Sequence, residues 1–247
     1  MLAVIGGSGL CELSNLRQVH RLAVTTPYGE PSSRLTFGCL GERELVFLAR
    51  HGDEHRIAPH QINYRANIRA LADQSATSIV AVAAVGGIRD DLTPGTLLLP
   101  HQLIDYTWGR ASTFHQAPEG ALQHIDFTEP YDAGLRARLL AAAARIDLRL
   151  VDGGIYAATQ GPRLETAAEI DRLQRDGADV VGMTGMPEAA LARELGIPYA
   201  SINVVANHAA GRGDNRQTIS MAAIEAVLAG AMQSVRRLIE TLVNEDD

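Results

Sequence analysis

Lysine is absent from the 247 residues, and all 22 basic residues are arginine. That excludes a lysine Schiff base, the usual anchoring of pyridoxal phosphate, and a Walker-type phosphate loop. A bound anion must instead be held by Arg, His, hydroxyls or backbone N–H groups. Cysteine is scarce: Cys11 and Cys39 fit no CxxC or metal-ligand spacing. No metal site is expected, and both read as reduced thiols in a cytoplasmic protein. Long apolar runs are missing too. Ile79–Val85 is of strand length, so no membrane partner is expected. The start, MLAVIGGSGL, lacks the charged opening of a signal peptide. Positive charge is outnumbered, 22 basic against 29 acidic residues for a net charge of −7, which argues against nucleic acid as a partner.

What is present suits a single domain over residues 1–247, since 46% of the chain is hydrophobic and a full core can be built. Strands are predicted at Leu2–Ile5, Glu44–Leu48, Ile79–Val85, Thr96–Leu99, Leu150–Val151, Val180–Met183 and Tyr199–Val205. Helical spacing is predicted over Asn63–Asp73, Ala133–Arg145, Leu164–Asp176, Pro187–Leu195 and Ile219–Asn244. This alternation predicts an α/β fold, a mixed but mostly parallel central sheet flanked by helices. Gly109–Glu129 is long for a loop, which points to function or to contact between subunits. Gly211–Asn215 reads as flexible and Glu245–Asp247 as a frayed acidic tail.

Most polar candidates fall at predicted strand ends, where open α/β sheets collect ligands. Gly6-Gly7-Ser8-Gly9 can aim N–H groups and a hydroxyl at an anion, or be a tight strand-to-helix turn. Arg50-His51 offers an anion-binding fork, or a surface Arg beside a capping His. Ala83-Ala84-Val85-Gly86-Gly87 permits close backbone approach, or is a plain turn. Glu165 follows a Gly-Pro break and is read in the first turn of a helix, where the dipole favours a carboxylate. Glu188 is read in the same way beside the helix beginning at Pro187. Met183-Thr184 brings a thioether and a hydroxyl to a sheet edge, although Met more often packs in cores. Asn207 can both donate to and accept from a heterocycle edge, or simply form a turn. Together these groups suggest an anionic or nucleoside-like substrate.

The order of segments resembles the trimeric purine nucleoside phosphorylases, above all their 5′-methylthioadenosine phosphorylase branch. It runs through GGSGL (6–10), TTPYGEPS (25–32), ARHG (49–52), NYRANIRAL (63–71), GGIRDDLTPG (86–95), GPRLET (161–166) and GADVVGMTGMPEAALARELGIPYASI (177–202). The likeness extends from about Leu2 to Leu238. It implies a nucleoside-phosphorylase fold, a cytoplasmic homotrimer, and reversible phosphorolysis in purine salvage. Phosphate attacks C1′ of a nucleoside and releases purine plus ribose 1-phosphate. Phosphate is then a co-substrate, and no cofactor, metal or covalent nucleophile is implied.

Carried over by motif, the resemblance places Ser8, Arg50, His51, Ala83, Ala84 (through its backbone N–H) and Thr184 at phosphate, and Met183 at the ribose. The family often has a hydroxyl where Ala83 stands. Adenine-specific members place Ser at Glu165, Asp at Asn207 and Asp at Ala209. This chain instead carries Leu164-Glu165 with Asn207, the pair of the 6-oxopurine phosphorylases. A carboxylate can accept from N1–H of hypoxanthine, and the Asn amide can donate to O6 or N7. Inosine phosphorylases hold the 5′-hydroxyl with a His near Met221. Met221 and Ile224 make an apolar wall instead, and His124 matches a residue given by the neighbouring subunit. The combination implies 5′-methylthioinosine as substrate. Alternatives are methylthioadenosine or inosine/guanosine phosphorylases, a silent nucleoside-binding protein, and a Rossmann dehydrogenase, which the incomplete GxGxxG disfavours.

Overall fold

Strands and helices interleave along the chain in a computed structural model that describes residues 1–115, 123–214 and 218–244. Strand β1 (Leu2–Gly6) is followed by β2 (Arg17–Leu22), β3 (Leu35–Leu40) and β4 (Arg43–Ala49). Helix α1 (Tyr64–Asp73) leads to β5 (Ser78–Gly87), β6 (Leu97–Leu99) and β7 (Gln102–Asp105). Helix α2 (Ala133–Arg145) precedes β8 (Leu150–Asp152) and β9 (Ile155–Ala158). Then come α3 (Ala167–Arg175), β10 (Val180–Gly182), α4 (Gly185–Glu194), β11 (Tyr199–His208) and α5 (Met221–Val243).

Strand β5 is the hub. It pairs in parallel with β1 and β11, and its last residues, Gly86 and Gly87, also pair antiparallel with β10. From β1 the sheet continues through β4 (parallel), then β3 and β2 (antiparallel). From β10 it continues in parallel through β9 to β7. From β11 it continues through β6 (antiparallel) to β8 (parallel). The mixed, mostly parallel α/β architecture expected from the sequence is therefore present.

Both faces of the hub are covered, so it reads as an unbroken apolar run. Period-two alternation divides it. Ile79, Ala81, Ala83 and Val85 pack with Ile68 and Leu71 of α1 and Leu191 of α4. Val80 and Val82 pack with Leu135 and Leu139 of α2 and with Leu228, Val235, Leu238 and Leu242 of α5.

The structure corrects the sequence reading at two kinds of place. First, β2, β3, β7 and β9 were not predicted. Strand β2 is exposed throughout and lies at the sheet edge, so no core imposes an apolar pattern on it. Second, the helix predicted from Leu164 begins at Ala167. Thr166 caps it: its hydroxyl accepts from Glu169 N, and the Glu169 carboxylate accepts from Thr166 N. Thr166-Ala-Ala-Glu169 is a capping-box sequence, which forces a non-helical conformation on the cap. Glu165 is thus released from the helix into a loop. Of the loops singled out from the sequence, 116–122, residue 215 and the tail 245–247 lie outside the described residues.

Candidate active site

Seven chain segments meet around a cavity of about 560 Å³, most of them at strand ends. The turn after β1 brings Gly7, Ser8, Gly9 and Cys11. The end of β4 brings Arg50 and His51, and β5 brings Ala83, Ala84, Val85 and Gly86. The β10–α4 turn brings Met183 and Thr184, and the loop before α3 brings Leu164 and Glu165. The end of β11 brings Asn207 and Ala209, and α5 closes the side with Met221, Ile224, Glu225 and Leu228. All the candidates drawn from the sequence converge here except His124, which is exposed and outside the cavity of its own chain. Among the described residues, no group of three His, Cys, Asp or Glu is placed to hold a metal ion.

At the floor lies an ion pair that the sequence reading missed. Arg50 and Glu188 are 1% and 0% exposed. Arg50 Nε donates to Glu188 Oε2 at 2.7 Å and Nη2 to Oε1 at 2.8 Å, while Nη1 donates to Val82 O at 2.9 Å. Tyr199 Oη also donates to Glu188 Oε1, at 2.8 Å. Glu188 does stand in the first turn of α4, as read from the sequence, and it is also the buried counterion of Arg50. Burial opposes the guanidinium charge, but Glu188 outweighs it and raises the Arg50 pKa above its ordinary value. An arginine has five N–H groups. Three are engaged here, and the other two remain for the cavity. Gly7 makes the approach possible, since a β-carbon there would lie 2.8 Å from Arg50 Nη1 and 2.6 Å from Val82 O.

Next to Arg50, His51 Nδ1 lies 2.8 Å from Ile57 O, so Nδ1 carries the proton. Burial, then the Arg50 charge, lowers its pKa to about 4. The ring is neutral at pH 7, and Nε2 is left with a lone pair. His55 packs on it with centroids 4.8 Å apart, and its Nε2 lies 2.9 Å from Ser8 Oγ. Its φ of +53° is unusual for a non-glycine residue, though His is among those that adopt it more often. His55 went unread in the sequence, where a second His four residues after His51 was the available signal.

Along the opposite wall, Glu165 Oε1 accepts from Thr159 Oγ1 at 2.7 Å. Asn207 sits at a β-bulge, where β11 slips register between Val205 and Asn207. Bulges re-aim side chains beside sites. The Asn207 amide donates to His208 O at 2.6 Å, leaving its second hydrogen. Met183 packs against Gly161, where a β-carbon would fall 2.4 Å from the thioether sulfur. Thr184 N and Gly185 N donate to the buried Tyr156 Oη at 3.2 and 3.3 Å, which fixes the β10–α4 turn.

The family model of the phosphorylase superfamily matches residues 1–244. The chain is 52% identical over 241 residues to a probable S-methyl-5′-thioinosine phosphorylase of Xanthomonas campestris, covering 98% of this chain and 96% of that one. It is 44% identical over 226 residues to a 6-oxopurine nucleoside phosphorylase of Pyrococcus furiosus, covering 89% and 83%. Among solved structures, the methylthioadenosine phosphorylase of Schistosoma mansoni in complex with adenine superposes with a TM-score of 0.93 at 32% identity, covering 98% of this chain and 90% of that one.

Two outcomes test this geometry. Glu188→Gln leaves a buried cation uncompensated and should cost about 3–5 kcal/mol, read as a lower urea midpoint. Tyr199→Phe removes only a neutral donor and should cost about 1–3 kcal/mol; equal losses would deny the ion pair its weight. For His51, the depressed folded pKa means the unfolded chain binds more protons between pH 6.5 and about 4. Stability should therefore fall as pH drops through that window, and the fall should be smaller in His51→Gln. Parallel pH curves for the two proteins would contradict a neutral, buried His51.

Proposed function

Given that the chain belongs to the phosphorylase superfamily, we propose that it cleaves 6-oxopurine nucleosides by reversible phosphorolysis. Its preferred substrate is 5′-methylthioinosine, which with phosphate gives hypoxanthine and 5-methylthioribose 1-phosphate. The observation carrying this reading is Glu165 and Asn207 lining one cavity with an apolar α5 wall. The names borne by the Xanthomonas and Pyrococcus relatives agree with it.

In this reading, phosphate lies among Ser8, Arg50, His51, Ala83, Ala84 and Thr184. A phosphate oxygen attacks C1′, and the C1′–N9 electron pair leaves with the purine. Arg50 is already balanced by Glu188, and His51 is neutral, so the cradle offers directed N–H and O–H dipoles and little net positive charge. Phosphate then keeps the negative charge that stabilises a cationic C1′ in the transition state. His51 stays neutral, its Nε2 lone pair accepting a hydrogen bond from the O–H of hydrogen phosphate, and Met183 packs on the ribose.

Base choice follows from donor and acceptor matching. Glu165 accepts from N1–H, and the free Asn207 amide hydrogen meets O6 or N7. Adenine presents a bare N1 to the carboxylate, a mismatch of about 1–3 kcal/mol or more for a charge, so rejection by about two decades is expected. At the 5′ end, Met221, Ile224 and Leu228 recur at helical spacing on one face of α5, a surface suited to a methylthio group. A second reading rests on Glu225 in the same wall, whose carboxylate could accept from a 5′-hydroxyl and so favour inosine. The active assembly is a cytoplasmic homotrimer in which His124 reaches a neighbouring cavity.

The deciding measurement is kcat/KM with phosphate for methylthioinosine, methylthioadenosine and inosine. Methylthioinosine should lead methylthioadenosine by about 100-fold. A lead for methylthioadenosine defeats the Glu165/Asn207 argument, and a lead for inosine replaces the α5 argument with the Glu225 reading. Asn207→Asp should lower turnover of 6-oxopurines, and Met221→His should shift preference toward inosine. Unchanged preferences would remove those residues from their roles. Sedimentation equilibrium should give the mass of three chains; a monomer would leave His124 without a site.

A further inference from the structure

Arg110 does not line the cavity, yet its guanidinium holds together two loops that build it. Nη1 donates to Met183 O at 2.8 Å and Met186 O at 2.6 Å, and lies 3.2 Å from Tyr64 Oη. Nη2 donates to Gln160 O at 2.9 Å and Thr159 O at 3.3 Å. The guanidinium also stands over the Tyr64 ring, 5.4 Å from its centroid. Four carbonyl oxygens from two chain segments thus converge on one point. Their negative ends repel one another unless a cation sits among them, and an Arg fork supplies several directed donors where an ammonium supplies a point charge.

These carbonyls belong to the segments that matter for the substrate. Met183 and Met186 bracket Thr184 in the β10–α4 turn. Thr159 and Gln160 begin the loop that runs to Glu165. Thr159 is tied three times: its N–H donates to Gly182 O at 2.8 Å, its carbonyl accepts from Arg110 at 3.3 Å, and its hydroxyl donates to Glu165 Oε1 at 2.7 Å. The hydroxyl also lies 3.3 Å from Gly182 O, but it has one proton, and the nearer, charged acceptor takes it. With Oε1 satisfied, Oε2 is left for a donor on the base.

We propose that Arg110 is a positioning residue for base discrimination. It sets the spacing between Glu165, which reads the purine, and Met183–Thr184, which face sugar and phosphate, and it acts through Thr159. This rests on the 6-oxopurine reading above. Discrimination depends on adenine being misplaced against a fixed carboxylate, so a loop free to drift would accept both bases and hold neither well. A displacement near an ångström can cost about 100-fold in rate.

The test compares Arg110→Ala, Arg110→Lys and Thr159→Val, with kcat/KM measured on methylthioinosine and methylthioadenosine, with and without millimolar guanidinium chloride. Arg110→Ala should lose about 100-fold on methylthioinosine. Its preference over methylthioadenosine should also collapse toward unity, and guanidinium should restore both rate and preference. Arg110→Lys should keep part of the preference, and Thr159→Val should lose preference without rescue. An Arg110→Ala enzyme that is slower on both nucleosides in equal proportion overturns the proposal, as does Thr159→Val with the original preference. If Arg110→Ala does not fold, Arg110→Lys and Thr159→Val decide. Wild-type enzyme that prefers methylthioadenosine sinks the substrate reading instead. In that case guanidinium rescue of the lost preference still reports positioning by Arg110.

Discussion

A full guanidinium charge beneath the cavity exists only because a carboxylate is buried with it. Removing either partner would leave an isolated ion in an apolar interior, a cost of several kcal/mol that is a large fraction of a marginally stable fold's total stability. The surroundings follow from that pairing. Gly7 gives up its side chain so that Arg50 can lie against Val82 O. Tyr199, at the start of β11, adds a hydroxyl to Glu188. Helix α4 enters with Glu188 in its first turn, so its docking on the sheet and the charge balance of the site are one event.

The same pairing shapes the electrostatics above it. A neutralised Arg50 next to a neutral His51 makes a cradle rich in donors and poor in net charge. Such a surface would orient an anion without quenching its charge. The lack of lysine fits that design. An ammonium is a mobile point charge, whereas the Arg50 fork can engage a carboxylate and a carbonyl and still present donors.

Precision on the opposite wall comes from backbone. The bulge in β11 aims Asn207, the capping box starting at Thr166 frees Glu165, and Arg110 binds the carbonyls on either side. Each of these devices fixes the geometry of a side chain or turn that lines the cavity. Where donors and acceptors are to be matched to a ligand, such rigidity is as much a part of specificity as the side chains themselves.

The sequence alone determined the α/β class, the strand ends where polar residues gather, and the chemistry each could offer, because periodicity and turn residues act over a few positions. Hence Ser8, Arg50, Glu165, Met183, Thr184 and Asn207 were legible as candidates. Edge strand β2 was not, since nothing buried it and so nothing patterned it. The tertiary structure alone decided that Glu188, 138 residues from Arg50, is its counterion as well as a first-turn helix residue. It also decided that His55 meets Ser8 and that Arg110 gathers carbonyls from two distant loops. Those contacts join residues far apart in the chain, and hydrogen bonding between them leaves no periodic trace. Only packing the sheet and helices together brings such partners within 3 Å.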